Sequence, residues 1–245
     1  MTVKKVATVI GVGPGLGAAL ARRFAADYVV ALVARNGEKL IELAREISAA
    51  GGTSLAVPAD ASKEQEIVGA FERIHRELGD TDVLLYSAAM RPVGTLMDTK
   101  PSTFENTWRV SSFGAFLAAQ QVVPAMLKKR QGVILFTGAT AGVKPFATSA
   151  AFGPAKFALR GLAQVMARDL GPKGIHVAWI NVDGAIDTPA IREFYPQLKE
   201  EDMLKPAAIA DTYWHLAHQD PSARTLDIDV RPFLDIDVRP FKEKF

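Results

Sequence analysis

Ile10-Gly11-Val12-Gly13-Pro14-Gly15-Leu16-Gly17 follows a short apolar run, residues 5–10, and passes without a break into an apolar-periodic segment, residues 16–26. Where a strand meets a helix through glycines, backbone N–H groups and the helix N-terminus reach a phosphate with no side chain in the way. A glycine cluster alone is equally a tight turn, so the flanking sequence decides. Apolar runs at 28–34, 53–57, 82–87, 132–137 and 176–182 alternate with longer amphipathic segments at 38–50, 63–78, 101–129 and 150–170. Such alternation points to parallel strands joined by crossover helices. Residues 28–34, YVVALVA, and 133–136, VILF, lack polar alternation, as strands do when helices cover both faces. Glycines and proline stand where the helices should stop, at Gly51-Gly52, Gly79, Gly132 and Gly171-Pro172. The expectation is an α/β fold: one domain over residues 1–245, a doubly wound parallel sheet of six strands with a further strand candidate near the C-terminus.

Composition narrows the function. The chain has 245 residues, 49% hydrophobic and 23% charged, enough for one sizeable core. Twenty-nine Lys and Arg against 27 Asp and Glu leave a formal charge of +2, too balanced for nucleic acid or an anionic membrane as the main partner. There is no cysteine, which excludes disulfides, thiolate metal sites and cysteine nucleophiles. The apolar run at 6–10 is too short for a signal-peptide core, and no 18 uninterrupted apolar residues occur, so a cytoplasmic protein without a membrane span is expected. His215 and His218 share a helical face with no third ligand placed near them, so no metal site is expected.

The alternation fails after Val182. Residues 183–206 are polar and contain proline, with one short helix around 189–195, the pattern of a substrate lid. A last helix is expected at 207–218. Beyond it LDIDVRPF occurs twice, at 226–233 and 234–241. Only one copy can fill one strand position, and two units are too few for a solenoid; the other copy is an appended tail or an additional edge segment.

The glycine spacing Gly11-x-x-x-Gly15-x-Gly17, with Gly13 and Leu16 inside it, resembles the T-G-x-x-x-G-x-G loop of the short-chain dehydrogenase/reductase family, with Ile10 where that family usually has threonine. The resemblance extends from Val3 to about Pro206 and implies an NAD(P)-binding Rossmann fold. Twenty residues past Gly15, Arg35 ends the second strand where an acid would accept from a ribose 2′-hydroxyl. A guanidinium suits a 2′-phosphate instead, so NADP(H) is expected over NAD(H); otherwise Arg35 is a solvated strand-end cation. Asp60 matches the position at which the family caps the adenine ring.

The family's catalytic group is an Asn, a Ser, a Tyr and a Lys. In this chain the matching positions are Ser111, Ala139, Phe152 and Lys156, so only the lysine is kept. The family's Asn-Asn-Ala-Gly segment is Tyr86-Ser87-Ala88-Ala89, and its Pro-Gly is Asp183-Gly184. The family's tyrosine exchanges a proton with the substrate oxygen while hydride moves at the nicotinamide, and the serine orients that oxygen. With Phe152 and Ala139 both groups are lost, whereas Lys156 retains its second role, binding ribose hydroxyls. Tyr86, at the carboxyl end of the fourth strand, is the best substitute proton donor; the plainer alternative is a structural aromatic at a strand end. Thr140, Ser149 and Tyr195 are weaker candidates. These residues lead to an NADP(H)-dependent oxidoreductase acting on a small carbonyl or activated alkene, with an NADP(H)-binding pseudoenzyme, a sensor or interaction protein, as the alternative. A homodimer or homotetramer is expected through the helices at 101–129 and 150–170, whose Phe113, Phe116, Leu117, Phe157, Leu159 and Leu162 exceed what one buried face requires.

Overall fold

A computed structural model describes residues 4–232. Along the chain run β1 (Val6–Ile10), α1 (Leu16–Phe24), β2 (Val29–Ala34), α2 (Gly37–Ala49), β3 (Thr53–Pro58), α3 (Glu64–Leu78), β4 (Thr81–Tyr86), α4 (Pro101–Trp108), α5 (Gly114–Lys129), β5 (Gly132–Thr137), α6 (Phe152–Leu170) and β6 (Ile175–Val182). A pair of two-residue strands follows, β7 (Ala185–Ile186) and β8 (Met203–Leu204), with α7 (Pro189–Phe194) between them; α8 (Pro206–Ala217) and β9 (Asp227–Val230) complete the described chain. Seven strands form one parallel sheet in the order β3-β2-β1-β4-β5-β6-β9. The order reverses between β1 and β4, and in such sheets ligands lie beyond the carboxyl ends of the strands at that point.

Strand alternation sends side chains into two cores. On one face Val6 and Ile10 of β1 pack with Ile175, Val177 and Trp179 of β6 under α3, α5 and α6. On the other, Ala7 and Val9 pack with Ala178, Ile180 and Val182 under α1, α2 and α8. All eight residues of β6 are buried, the physical counterpart of its nearly continuous apolar sequence.

Three expectations are refined. The single helix at 101–129 is α4 and α5 joined by a π-helical turn, Arg109–Phe113. The lid region, expected as loop plus one helix, also contains the β7–β8 pair. The first octapeptide copy supplies β9, in register from Trp179 opposite Asp227 to Val182 opposite Val230; the second, 234–241, lies outside the described residues.

Candidate active site

The β1–α1 turn is built by backbone constraint. Gly11 has φ of +92°, and a Cβ there would stand 2.3 Å from the Ala88 nitrogen at the end of β4. A Cβ on Gly17 would stand 2.3 Å from the Gly11 carbonyl oxygen. Both positions therefore need glycine for the turn itself. Gly13 has nothing within 4 Å of such a Cβ and opens outward. Gly15 precedes α1, which starts with no side-chain cap and no acid in its first turn, whereas Asn36 caps α2 by accepting from the Lys39 amide. Uncapped N–H groups at a helix start are anion-binding groups. Leu16 is buried, so it faces the core and offers the site only its backbone.

Past the carboxyl ends of β2 and β3 a hollow is walled by Arg35, Pro58, Ala59, Asp60, Lys63 and Glu66. Arg35 and Lys63 are its cations; Lys63 is held 2.8 Å from Glu66. Burial pushes the Asp60 carboxyl up, but hydrogen bonds from the Ser62 amide and hydroxyl, with Arg35 and Lys63 nearby, outweigh it and hold Asp60 below its ordinary range. The expected cofactor residues Gly11, Gly13, Gly15, Leu16, Gly17, Arg35 and Asp60 thus lie on the turns that leave the carboxyl ends of β1, β2 and β3.

Beyond β5 the turn Thr140–Gly142 lies beneath α6: a Cβ on Gly142 would stand 3.3 Å from Lys156 Cβ. Ala139 precedes this turn in extended conformation, and Phe152 begins α6 one helical turn before Lys156. Lys156 is 2% exposed and donates from Nζ to the Thr137 carbonyl at 2.7 Å. Burial pulls its pKa down to about 7, because desolvation disfavours the ammonium. The Phe152 ring centre is 5.7 Å from Nζ. Ser111, on the π-helical turn, is fully buried, and its hydroxyl finds no hydrogen-bond partner among the described residues.

Tyr86 does not stand in the cleft. It is 1% exposed, packs edge-on against Phe136, and donates its hydroxyl to the Val110 carbonyl. Burial drives its pKa further up, and a Cβ on Gly114 would collide with its hydroxyl. Its oxygen is engaged inside the layer under α5, which takes it out of proton supply to the cleft. Tyr213 is likewise buried and donates to Thr137 Oγ1 at 2.8 Å, while Tyr28 pairs with His218. Tyr195, at the end of α7, is only half buried and accepts from Arg91 at 3.5 Å.

Two contacts were absent from the sequence expectations. Thr188, which caps α7 by accepting from the Ile191 amide, packs its methyl where a Gly15 Cβ would be, at 2.7 Å. The 183–206 segment therefore touches the β1–α1 turn; the signal available was Thr188-Pro189, a cap followed by proline at the first helical position. The second is the Thr140–Asp183 pair, in which Thr140 Oγ1 donates to Asp183 Oδ1 at 2.6 Å.

The short chain dehydrogenase family matches residues 5–199. Sorbitol-6-phosphate 2-dehydrogenase of Escherichia coli is 30% identical over 215 residues, 86% of this chain and 83% of that protein. Carbonyl reductase family member 4 of Xenopus tropicalis is 29% identical over 174 residues, 71% of this chain and 72% of that one. Among solved structures, a short-chain dehydrogenase from Rhodopseudomonas palustris superposes with a TM-score of 0.81 at 35% identity, covering 94% of this chain and 99% of that one. A metagenomic short-chain oxidoreductase in complex with NADP superposes with 0.82 at 29% identity, covering 94% and 97%.

Proposed function

Because the chain belongs to the short chain dehydrogenase family, we propose that it is an NADP(H)-dependent oxidoreductase acting on a small carbonyl or activated-alkene substrate. The uncapped start of α1 behind its glycine turn, with Arg35 at the end of the adjoining strand, carries this proposal. Gly13 and Gly15 would approach the pyrophosphate by backbone, Arg35 and Lys63 would face the 2′-phosphate, Asp60 the adenine and Lys156 the ribose. Bound there, NADP(H) supplies or accepts hydride.

The chain's own part is to hold the substrate and move a proton. Phe152 and Ala139 offer no hydroxyl at the family's Tyr and Ser positions, and Tyr86 is spent on Val110. Lys156 is the ionisable group left beside them, and desolvation holds its pKa below the ordinary lysine value, toward the range of a general acid. An activated alkene suits this arrangement, because the enolate left by hydride addition takes its proton from solvent as readily as from a side chain. The same proposal includes a cytoplasmic homodimer or homotetramer. Trp108, Phe113 and Phe116 stack along α4 and α5, with Phe116 40% and Phe157 45% exposed. Leu117 and Leu159, expected in that interface, are instead core residues at 3% and 0%.

Titration of the purified protein by cofactor fluorescence tests the assignment, with tighter binding of NADPH than NADH as the expected result. Turnover of NADPH with aldehydes, ketones and enones tests the chemistry. Binding without turnover across that panel would reject the oxidoreductase assignment in favour of nucleotide binding alone.

A further inference from the structure

Asp183 follows β6 where the family resemblance leads one to expect proline, and its carboxylate is 5% exposed. Oδ1 accepts from Thr140 at 2.6 Å. Oδ2 lies 2.9 Å from Arg231 Nη2 and 3.4 Å from Lys144 Nζ, yet receives no aligned hydrogen bond. Arg231 follows β9 and also pairs with Asp229 at 2.9 Å, so two cations meet two carboxylates and the cluster has no net charge. A surplus anion site is thereby excluded. What is left is a carboxylate that fixes the direction of one hydroxyl: the Thr140 proton points at Asp183, and the lone pairs of a half-buried Oγ1 point elsewhere.

Thr140 adjoins Ala139 and opens the turn under Lys156. Position 139 carries no hydroxyl, the next residue carries one, and the acid that orients it is supplied at 183. The segments leaving the carboxyl ends of β4, β5 and β6 start from the same edge of the sheet as Thr140. They display Val93, Leu96, Met97, Phe146 and Phe194, from 59% to 90% exposed. The segments after β4 and β5 are tied together by Gly94 donating to the Thr148 carbonyl and Ala150 to the Gly94 carbonyl.

We propose that Thr140, oriented by Asp183, is a hydroxyl-recognition subsite: its Oγ1 accepts a hydrogen bond from a substrate hydroxyl next to the reacting carbon. The substrate class is then an α-hydroxy carbonyl or the corresponding vicinal diol, with an apolar remainder against the rim. A simple ketone of the same chain length leaves Oγ1 without a donor and binds more weakly. The inference rests on the oxidoreductase proposal for its reacting carbon, but not for its hydrogen bond.

The probes are 1-hydroxy-2-hexanone and 2-hexanone, which differ by one hydroxyl. Dissociation constants from ligand-observed NMR on the full chain with NADP⁺ present should favour the hydroxyketone by about tenfold. Thr140→Val should erase that ratio by weakening the hydroxyketone alone, and Thr140→Ser should restore it. Asp183→Asn should reduce the ratio as well; if that variant fails to fold, the Val and Ser pair decides. Equal binding of the two ketones, binding of neither, or a ratio unchanged in Thr140→Val would overturn the subsite. The ratio needs no turnover, so a chain that discriminates the ketones but never consumes NADPH refutes the oxidoreductase proposal and leaves the subsite standing.

Discussion

The turn that opens α1 and the turn that precedes α6 leave the carboxyl ends of β1 and β5 but are built from different material. At the first, nearly every requirement is one of backbone: Gly11 and Gly17 have no room for a Cβ, and α1 begins uncapped. At the second, Ala139 precedes the turn and Phe152 and Lys156 stand one helical turn apart on α6, so what this region offers is decided by its side chains. Backbone recognition of phosphate depends on shape and is kept or lost as a unit. Side-chain proton chemistry changes one atom at a time without disturbing the fold that presents it.

The sharpest way to break this contrast is to rebuild the second turn. Phe152→Tyr with Ala139→Ser places a phenol and a hydroxyl beside Lys156, and NADPH-dependent carbonyl reduction should rise by as much as roughly 10⁴-fold if the two groups act independently. Rates are compared at equal cofactor saturation. No gain in a folded variant that binds NADPH would show that the surrounding pocket had diverged as well.

The first turn should be intolerant in a graded way. Gly11→Ala, at φ of +92° and 2.3 Å from backbone, should lower the thermal midpoint and weaken NADPH binding by about 100-fold, since the turn must shift. Gly13→Ala, with open space around it, should keep the midpoint and lose affinity alone. Equal midpoints for the two variants would contradict the division between turn-forming and ligand-facing glycines.

Lys156 offers a smaller, pH-dependent effect. Its folded pKa of about 7 is below its ordinary 10.5, so between those values the unfolded chain binds the extra proton and stability rises with pH. Across that window the contribution approaches about 1.4 kcal/mol per pH unit and is constant below it. Lys156→Met should remove this slope, as seen by subtracting denaturant-derived stabilities of variant and parent at pH 7 to 10. A parallel pair of curves would mean the amine is not desolvated.

The least effect is expected from deleting residues 226–233. The identical octapeptide then follows Thr225 directly, so the sequence that forms β9 and places Arg231 is preserved. The thermal midpoint should be unchanged; a fall would assign a stabilising role to the residues past Phe233.

Element order and the glycine turn were legible from local sequence, as were the residue types at Arg35, Ala139 and Phe152. Strand and helix periodicity and turn sterics act over a few residues, and a residue type is a fact at any position. The fate of Tyr86 was not legible, because whether a strand-end side chain enters a cleft or a core depends on Gly114 and Val110, more than twenty positions away. Nor was the desolvation of Lys156, the contact of Thr188 with Gly15, or the union of Thr140 with Asp183 and Arg231. Burial and hydrogen bonding between distant segments are set only when the sheet order places the ends of β5, β6 and β9 side by side.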